Sequence, residues 1–353
     1  MKTLKTTLRL SAFLALVIFA SCTKDNENEV LGAFSNGIFI VNEGPFQTGT
    51  GTITFFDPDS NLVEQDVFEA VNGRPLGNIA QSITVYNDKA YIVVNNAGKV
   101  EVVNAATFKS EGTITNLNNP SQFIIVDSKK AYISDWIGQV TVVDLQSNSV
   151  INNIAVGTGP DAMLKSGNYV YVANSGGLGI DSTISVIDFS TDKVVKTIKV
   201  GDAPSGLVAD LNGRIWVLCK GKGFTGWPQA GDTRGKLVRI DPTTLSVDYT
   251  YNFTSTDVHP EKLVINKQKT KLYFLYNYGI YSFNIESSGS TPEKLISRNF
   301  YSLGYQNETG YLYASDAKDY VNNGIVLRIK ADDGLVVDSI PTGIIPRAFA
   351  FPE

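Results

Sequence analysis

Histidine is almost missing from this chain: among 353 residues there is one, His259. A multi-histidine metal centre cannot be assembled from it. A Ser–His–Asp triad would consume the only imidazole available, and no Gly-x-Ser-x-Gly nucleophile elbow is present. Cysteine is nearly as scarce, with Cys22 and Cys219 alone, so a disulfide framework is excluded. There is no surplus of positive charge: 30 Lys plus Arg stand against 35 Asp plus Glu, which argues against a nucleic-acid footprint. No apolar run is long enough to cross a bilayer, since the longest, Leu10 to Ala20, falls well short.

That short run has a meaning of its own. Lys2, Lys5 and Arg9 precede it and small residues end it, the pattern of a secretory signal peptide over residues 1–21. Without those residues the chain holds 27 Lys plus Arg against 35 Asp plus Glu, a net −8. Residues 22–33 then read as a lipidated Cys22 and a flexible tether, and residues 34–353 as the folded domain. Cys219 sits within an apolar strand (Ile215 to Cys219) and is expected to be a small buried residue.

What is present in abundance is a repeat. Seven short apolar strands carry an aromatic: Phe39, Tyr91, Tyr132, Tyr171, Trp216, Tyr273 and Tyr313. A second apolar strand follows each and ends at Asp57, Asn104, Asp144, Asp188, Asp241, Asn284 or Lys330. The spacings between these ends are 47, 40, 44, 53, 43 and 46 residues. A period in the forties built from short strands predicts an all-β fold, a seven-bladed β-propeller. Prolines open several first strands, as in Pro120-Ser-Gln-Phe, Pro160-Asp-Ala-Met and Pro204-Ser-Gly-Leu, where the missing N–H costs no interior ladder bond. The first unit lacks such a strand, and Pro346-Arg-Ala-Phe-Ala-Phe351 supplies one with no unit of its own. The C-terminal strand is therefore expected to pair into the first blade and close the ring. Asp144, Asp188, Asp241 and Asn104 each precede a Ser or Thr by three residues. Recurrence at one place in several units favours Asx-capped turns over metal ligands.

Repeat geometry gathers distant residues onto one face, where the loops from strand two to three and from four to the next strand one surround the central opening. First-strand starts contribute Gln81, Ser121, Asp161, Ser205, Glu261, Tyr301 and Arg347 to that rim; second-strand ends contribute Asn42, Asn95, Trp136, Asn174, Lys220, Asn277 and Asp316. Loops 43–51, 175–182 and 317–324, the last with Tyr320, exceed the minimum length. The outlier is 220–235, Gly-rich and holding Phe224, Trp227 and Arg234. Loops on a rigid scaffold carry function disproportionately, and aromatics there suit flat amphipathic ligands or partner surfaces, unless they fold back onto the rim. The candidate ligand-binding residues are thus Gln81, Asn95, Trp136, Asp161, Asn174, Lys220, Phe224, Trp227, Arg234, Asn277, Tyr301, Tyr320 and Arg347, with no catalytic residue, metal site or cofactor. His259, just before Pro260, lies on this face too; a lone histidine is more often a surface or hydrogen-bonded residue than a catalyst.

On Tyr169-Val-Tyr-Val-Ala-Asn-Ser and Thr183-Ile-Ser-Val-Ile-Asp, residues 34–353 resemble the YVTN/YncE-like seven-bladed propellers. Phe19-Ala20-Ser21-Cys22 resembles a bacterial lipobox, with Phe19 where Leu is usual, and Lys24-Asp25-Asn26-Glu27-Asn28-Glu29 resembles an acidic surface-export signal. The combination resembles the BtuG-like lipoproteins. That resemblance implies a non-enzymatic protein, lipid-anchored at the outer membrane and exposed on the cell surface, binding cobalamin or another corrinoid. It also implies a TonB-dependent outer-membrane transporter as partner. A glycan-binding or protein-interaction propeller and a lyase-type enzyme are the alternatives, since one scaffold hosts many activities.

Overall fold

A computed structural model describes residues 32–46 and 48–352. The expected signal peptide, Cys22 and its acidic tether lie outside the described residues. Seven four-stranded antiparallel sheets form the domain. Blade 1 consists of Pro346–Ala350, Ile38–Asn42, Thr52–Asp57 and Leu62–Glu64. Blades 2 to 7 follow as residues 80–114, 120–155, 160–199, 204–252, 261–297 and 302–344. The first strand of each blade packs on the first strands of its two neighbours, and these contacts run round the whole ring. The fold is the seven-bladed propeller that the repeat predicts, and the C-terminal strand closes it: Pro346–Ala350 pairs with Ile38–Asn42, with Ile40 opposite Phe349.

Blade 4 shows why these sequences make these strands. Tyr169–Asn174 and Thr183–Asp188 are buried almost throughout, because each blade is covered on both faces by its neighbours. A two-sided cover selects a continuous apolar, β-branched run in place of strict alternation. The fourth strand, Lys193–Lys199, is the outer edge and is mostly exposed; its lysines discourage pairing with another chain. The repeated aromatics are the spacers between blades. Tyr91 stacks on Phe123 of the next blade with ring centroids 4.4 Å apart, Tyr273 on Tyr305 at 6.1 Å, and Tyr313 meets Phe351 of the closing strand's end at 5.1 Å. All seven aromatics are fully buried.

The recurrent acidic residues are turn caps. Asp144 Oδ1 accepts the Ser147 N–H at 2.8 Å, Asn104 Oδ1 that of Thr107 at 2.9 Å, and Asp241 Oδ1 that of Thr243 at 2.7 Å. These turns define one face of the ring. The chain reaches the ring on that face, where the Phe34 N–H donates to the Ala106 carbonyl at 3.0 Å. One element was not expected: helix α1, Val67–Asn72, between blades 1 and 2. Gly73 ends it in the left-handed conformation (φ 65°), its N–H returning to Glu69 O as a helix-terminating glycine does. Cys219 is buried as expected, and burial pushes its thiol up to about 12. No helix among the described residues is long and apolar enough to cross a membrane.

Candidate functional site at the loop face

First strands enter the loop face through β-bulges. The ladder slips between Ala80 and Ser82, Pro120 and Phe123, Pro160 and Met163, Pro204 and Gly206, and Glu261 and Val264. A bulge inserts an unpaired residue and re-aims its side chain. Gln81, Ser121, Asp161 and Ser205 occupy these positions, as the rim alignment expected. Blade 6 keeps the same register. Val264 pairs with the repeated aromatic Tyr273 as Leu164 pairs with Tyr171, so Glu261 is the residue equivalent to Asp161, as expected, and Lys262 follows it within the bulge. Its backbone is left-handed, φ 57°, an uncommon conformation for a lysine.

The mouth of the central channel is consequently charged, not merely amide-lined. Glu43 Oε1 accepts from the Tyr301 hydroxyl at 2.8 Å and from Arg347 Nη1 at 2.5 Å. Lys220 Nζ meets Glu261 Oε1 at 2.5 Å. Ser121 donates to Asp161. Lys262 Nζ lies 5.7 Å from the Tyr301 ring centroid, within cation–π range. Burial, with Arg347 nearby, lowers the Lys262 ammonium to about 8, against the opposing pull of Glu261 and Asp161. Burial alone would raise the Glu261 carboxyl; the attraction and hydrogen bond of Lys220 more than offset it and hold it below the usual range. Burial raises the Tyr301 phenol well above its ordinary value.

The amides of the second-strand ends turn inward. Asn42 Nδ2 donates to Thr52 Oγ1 at 3.1 Å and Thr54 Oγ1 at 3.0 Å; Asn174 Nδ2 donates to Thr183 Oγ1 at 2.9 Å and Ser185 Oγ at 3.0 Å. Asn95 Nδ2 donates to the Pro120 carbonyl at 2.9 Å, tying blade 2 to blade 3. Gln81, Asn95 and Asn174 are buried, and the Trp136 indole Nε1 is buried as well. Asn277 is exposed, but it and Tyr278 both have positive φ (44° and 52°) between the paired Tyr276 and Gly279. Two such residues make the type I′ hairpin turn that favours Asn. Its presence is explained by backbone geometry.

The 220–235 loop is anchored at its base and stapled at its tip. At the base, the Lys222 N–H donates to Thr233 Oγ1 at 2.8 Å, and that hydroxyl donates to Asp202 Oδ2 at 2.7 Å. At the tip, the Gly226 N–H reaches Asp257 O at 3.3 Å and the His259 N–H donates to Thr225 Oγ1 at 2.9 Å. His259 Nδ1 lies 2.9 Å from the Lys220 carbonyl; a carbonyl only accepts, so Nδ1 carries the proton. The single histidine is thus a buried anchor for the loop. Phe224 and Trp227 bridge to each other at the tip and remain 75% and 70% exposed. They do not fold back onto the rim. Arg234, whose backbone lies against Gly221 at the base of the loop, is exposed.

Exposed apolar side chains recur in the same loop of other blades: Phe46, Ile137, Leu178, Tyr278, and Tyr320 with Val321. Tyr320 packs edge-on against Tyr301 with centroids 5.7 Å apart, linking this crown to the channel mouth. Six of the seven blades contribute, and blade 2, whose loop is Asn95–Gly98, does not. Sequence reasoning singled out Phe224, Trp227 and Tyr320. It missed the crown because single exposed residues in short loops carry no motif. A cleft of about 540 Å³ lies on the opposite face between Phe34, Tyr86, Ala106 and Phe351. It marks the seam where the chain enters and the closing strand ends.

Among curated proteins no relative matches by sequence. Solved propellers match by shape. A quinonprotein alcohol dehydrogenase-like protein from Bacteroides thetaiotaomicron superposes with a TM-score of 0.69 at 18% identity, covering 91% of this chain and 79% of that one. A periplasmic gluconolactonase from Pseudomonas aeruginosa gives 0.66 at 12%, covering 89% and 99%. Hydrazine synthase from Kuenenia stuttgartiensis gives 0.63 at 18%, covering 76% and 88%. At such identities the likeness is one of fold. Residues 36–334 match the model of the domain of unknown function DUF5074, and the chain belongs to that family.

Proposed function

We propose that the loop face captures a broad, amphipathic small molecule, cobalamin or another corrinoid, on a protein lipid-anchored through Cys22 at the cell surface. The bound molecule passes to a TonB-dependent outer-membrane transporter, and no chemistry is performed on it. The observation that carries this reading is the exposure of Phe224 and Trp227 on a loop held rigidly by its own staples. Pre-ordered aromatics lose little entropy on binding and offer flat apolar contact. Tyr278 and Tyr320 widen that contact on neighbouring blades. The inward-turned amides of Asn95 and Asn174 shift the expected contacts from the channel wall to the loops.

Purified protein mixed with cyanocobalamin tests the proposal by calorimetry and by colour retained through gel filtration. Heat release with co-elution supports it; neither heat nor colour ends it.

A further inference from the structure

We infer that the mouth of the central channel is a subsite for a hydroxycarboxylate group, in which Lys262 receives the carboxylate and Asp161 the neighbouring hydroxyl. The inference stands on the channel mouth alone and goes beyond the corrinoid reading.

The argument is one of pairing. Three cations, Lys220, Lys262 and Arg347, and three carboxylates, Glu43, Asp161 and Glu261, meet at this mouth. Arg347 is taken by Glu43 and Lys220 by Glu261. Lys262 has no carboxylate within ion-pair distance among the described residues, and its ammonium donates no hydrogen bond there; its near neighbour is the Tyr301 ring. The Tyr301 hydroxyl is itself spent on Glu43. Among the described residues Asp161 has no cation in contact and takes one hydrogen bond, from Ser121, leaving acceptor capacity free.

A cation and a carboxylate that share a mouth without touching are an unusual arrangement. Direct contact would relieve the cost of partly desolvating each. Both sit at first-strand bulges of blades 4 and 6, which hold them apart, and Lys262 does so in a backbone conformation that lysine rarely adopts. Strain of that kind persists where the surroundings impose it, and it concentrates at functional sites. Asp161 favours the charged form of Lys262 across the mouth, though the two form no ion pair. A carboxylate placed at Lys262 and a hydroxyl donating to Asp161 would complete both. A dianionic phosphate fits less well, because Asp161 and Glu261 face it.

The test uses the mature protein with its lysines 13C-dimethylated and followed by NMR. The resonance missing from Lys262→Met is assigned to Lys262, with the other lysines as internal controls. Added gluconate should shift that resonance saturably and raise its titration midpoint. Glucose, which lacks the charge, should not. Asp161→Asn should weaken gluconate at least about tenfold, the loss of one hydrogen bond to a charged group, while acetate, which lacks the hydroxyl and no longer meets the Asp161 charge, should bind the Asn form at least as well. Saturable shifts of all lysines together, or none at Lys262, overturn the subsite. Equal affinity of Asp161→Asn for gluconate overturns the role of Asp161. Because neither probe contains a corrin, failure here leaves the cyanocobalamin result untouched.

Discussion

Arg347 Nη1 and Glu43 Oε1 lie 2.5 Å apart although 304 residues of chain separate them. Arg347 belongs to the closing strand, Glu43 to the loop after the second strand of blade 1, and the Tyr301 hydroxyl that shares Glu43 comes from blade 7. One carboxylate therefore clasps both sides of the seam. Glu43→Ala should cost about 2 kcal/mol, since it strands a mostly buried guanidinium. Urea unfolding measures this. Deleting residues 346–353 removes the clasp and the innermost strand together and should cost far more; unchanged stability of the deletion would refute closure by this strand.

Lys262 should destabilise the fold it belongs to. Its ammonium titrates near 8 in the folded protein against 10.5 for a free lysine. Between those values the unfolded chain binds more protons, so stability rises with pH from about 8 to about 10.5 and is level outside that window. Lys262→Met should raise stability at pH 7 by about 1–2 kcal/mol, allowing for partial solvation, and should flatten this part of the pH profile. A destabilised variant with an unchanged profile would show that the ammonium is not strained by burial.

Phe224→Ala and Trp227→Ala should leave the unfolding midpoint nearly unmoved, within about 0.5 kcal/mol, because both side chains are exposed. On the corrinoid reading each should weaken cyanocobalamin binding by about 1–3 kcal/mol. Full affinity in both variants would move the contact off this loop.

Glu101 is buried in blade 2 and meets Arg74 at 2.5 Å, Ser110 at 2.6 Å and Lys99 at 2.9 Å. Burial would raise its carboxyl; the hydrogen bonds from Arg74, Ser110 and Lys99 outweigh this and lower it below 4.5. Its contribution is thus present above pH 4.5 and is lost as the pH falls through the lowered value. Arg74→Ala should cost about 2 kcal/mol at pH 7 and less in acid, where the carboxyl is protonated. A cost independent of pH would exclude this account.

The period of the aromatics predicts the ring, and the orphan strand after Pro346 predicts its closure, because both depend on a local pattern repeated seven times. The face on which His259 and Lys220 lie is legible for the same reason. Three things were hidden. Asn42 and Asn174 read as open polar groups until cross-strand Thr and Ser hydroxyls are seen to hold their amides. Helix α1 is too short for helical periodicity to show, with only Val67 and Phe68 buried. Lys262 was passed over because the alignment takes only the residue after each proline, Glu261 in blade 6, and the bulge brings the next residue to the mouth as well. Propensity is local; register is set by the partner strand.

The 220–235 loop begins and ends on a single rung of the ladder, with Cys219 opposite Lys236. The equivalent connection of blade 6 spans two residues, Asn277 and Tyr278. Lengthening such a connection eightfold adds about 2 kcal/mol of closure entropy and leaves every strand pairing in place. The loop end of the ring can therefore be rewritten one blade at a time while the turn end stays fixed. Descendants of one scaffold would diverge in what they hold long before they diverge in shape.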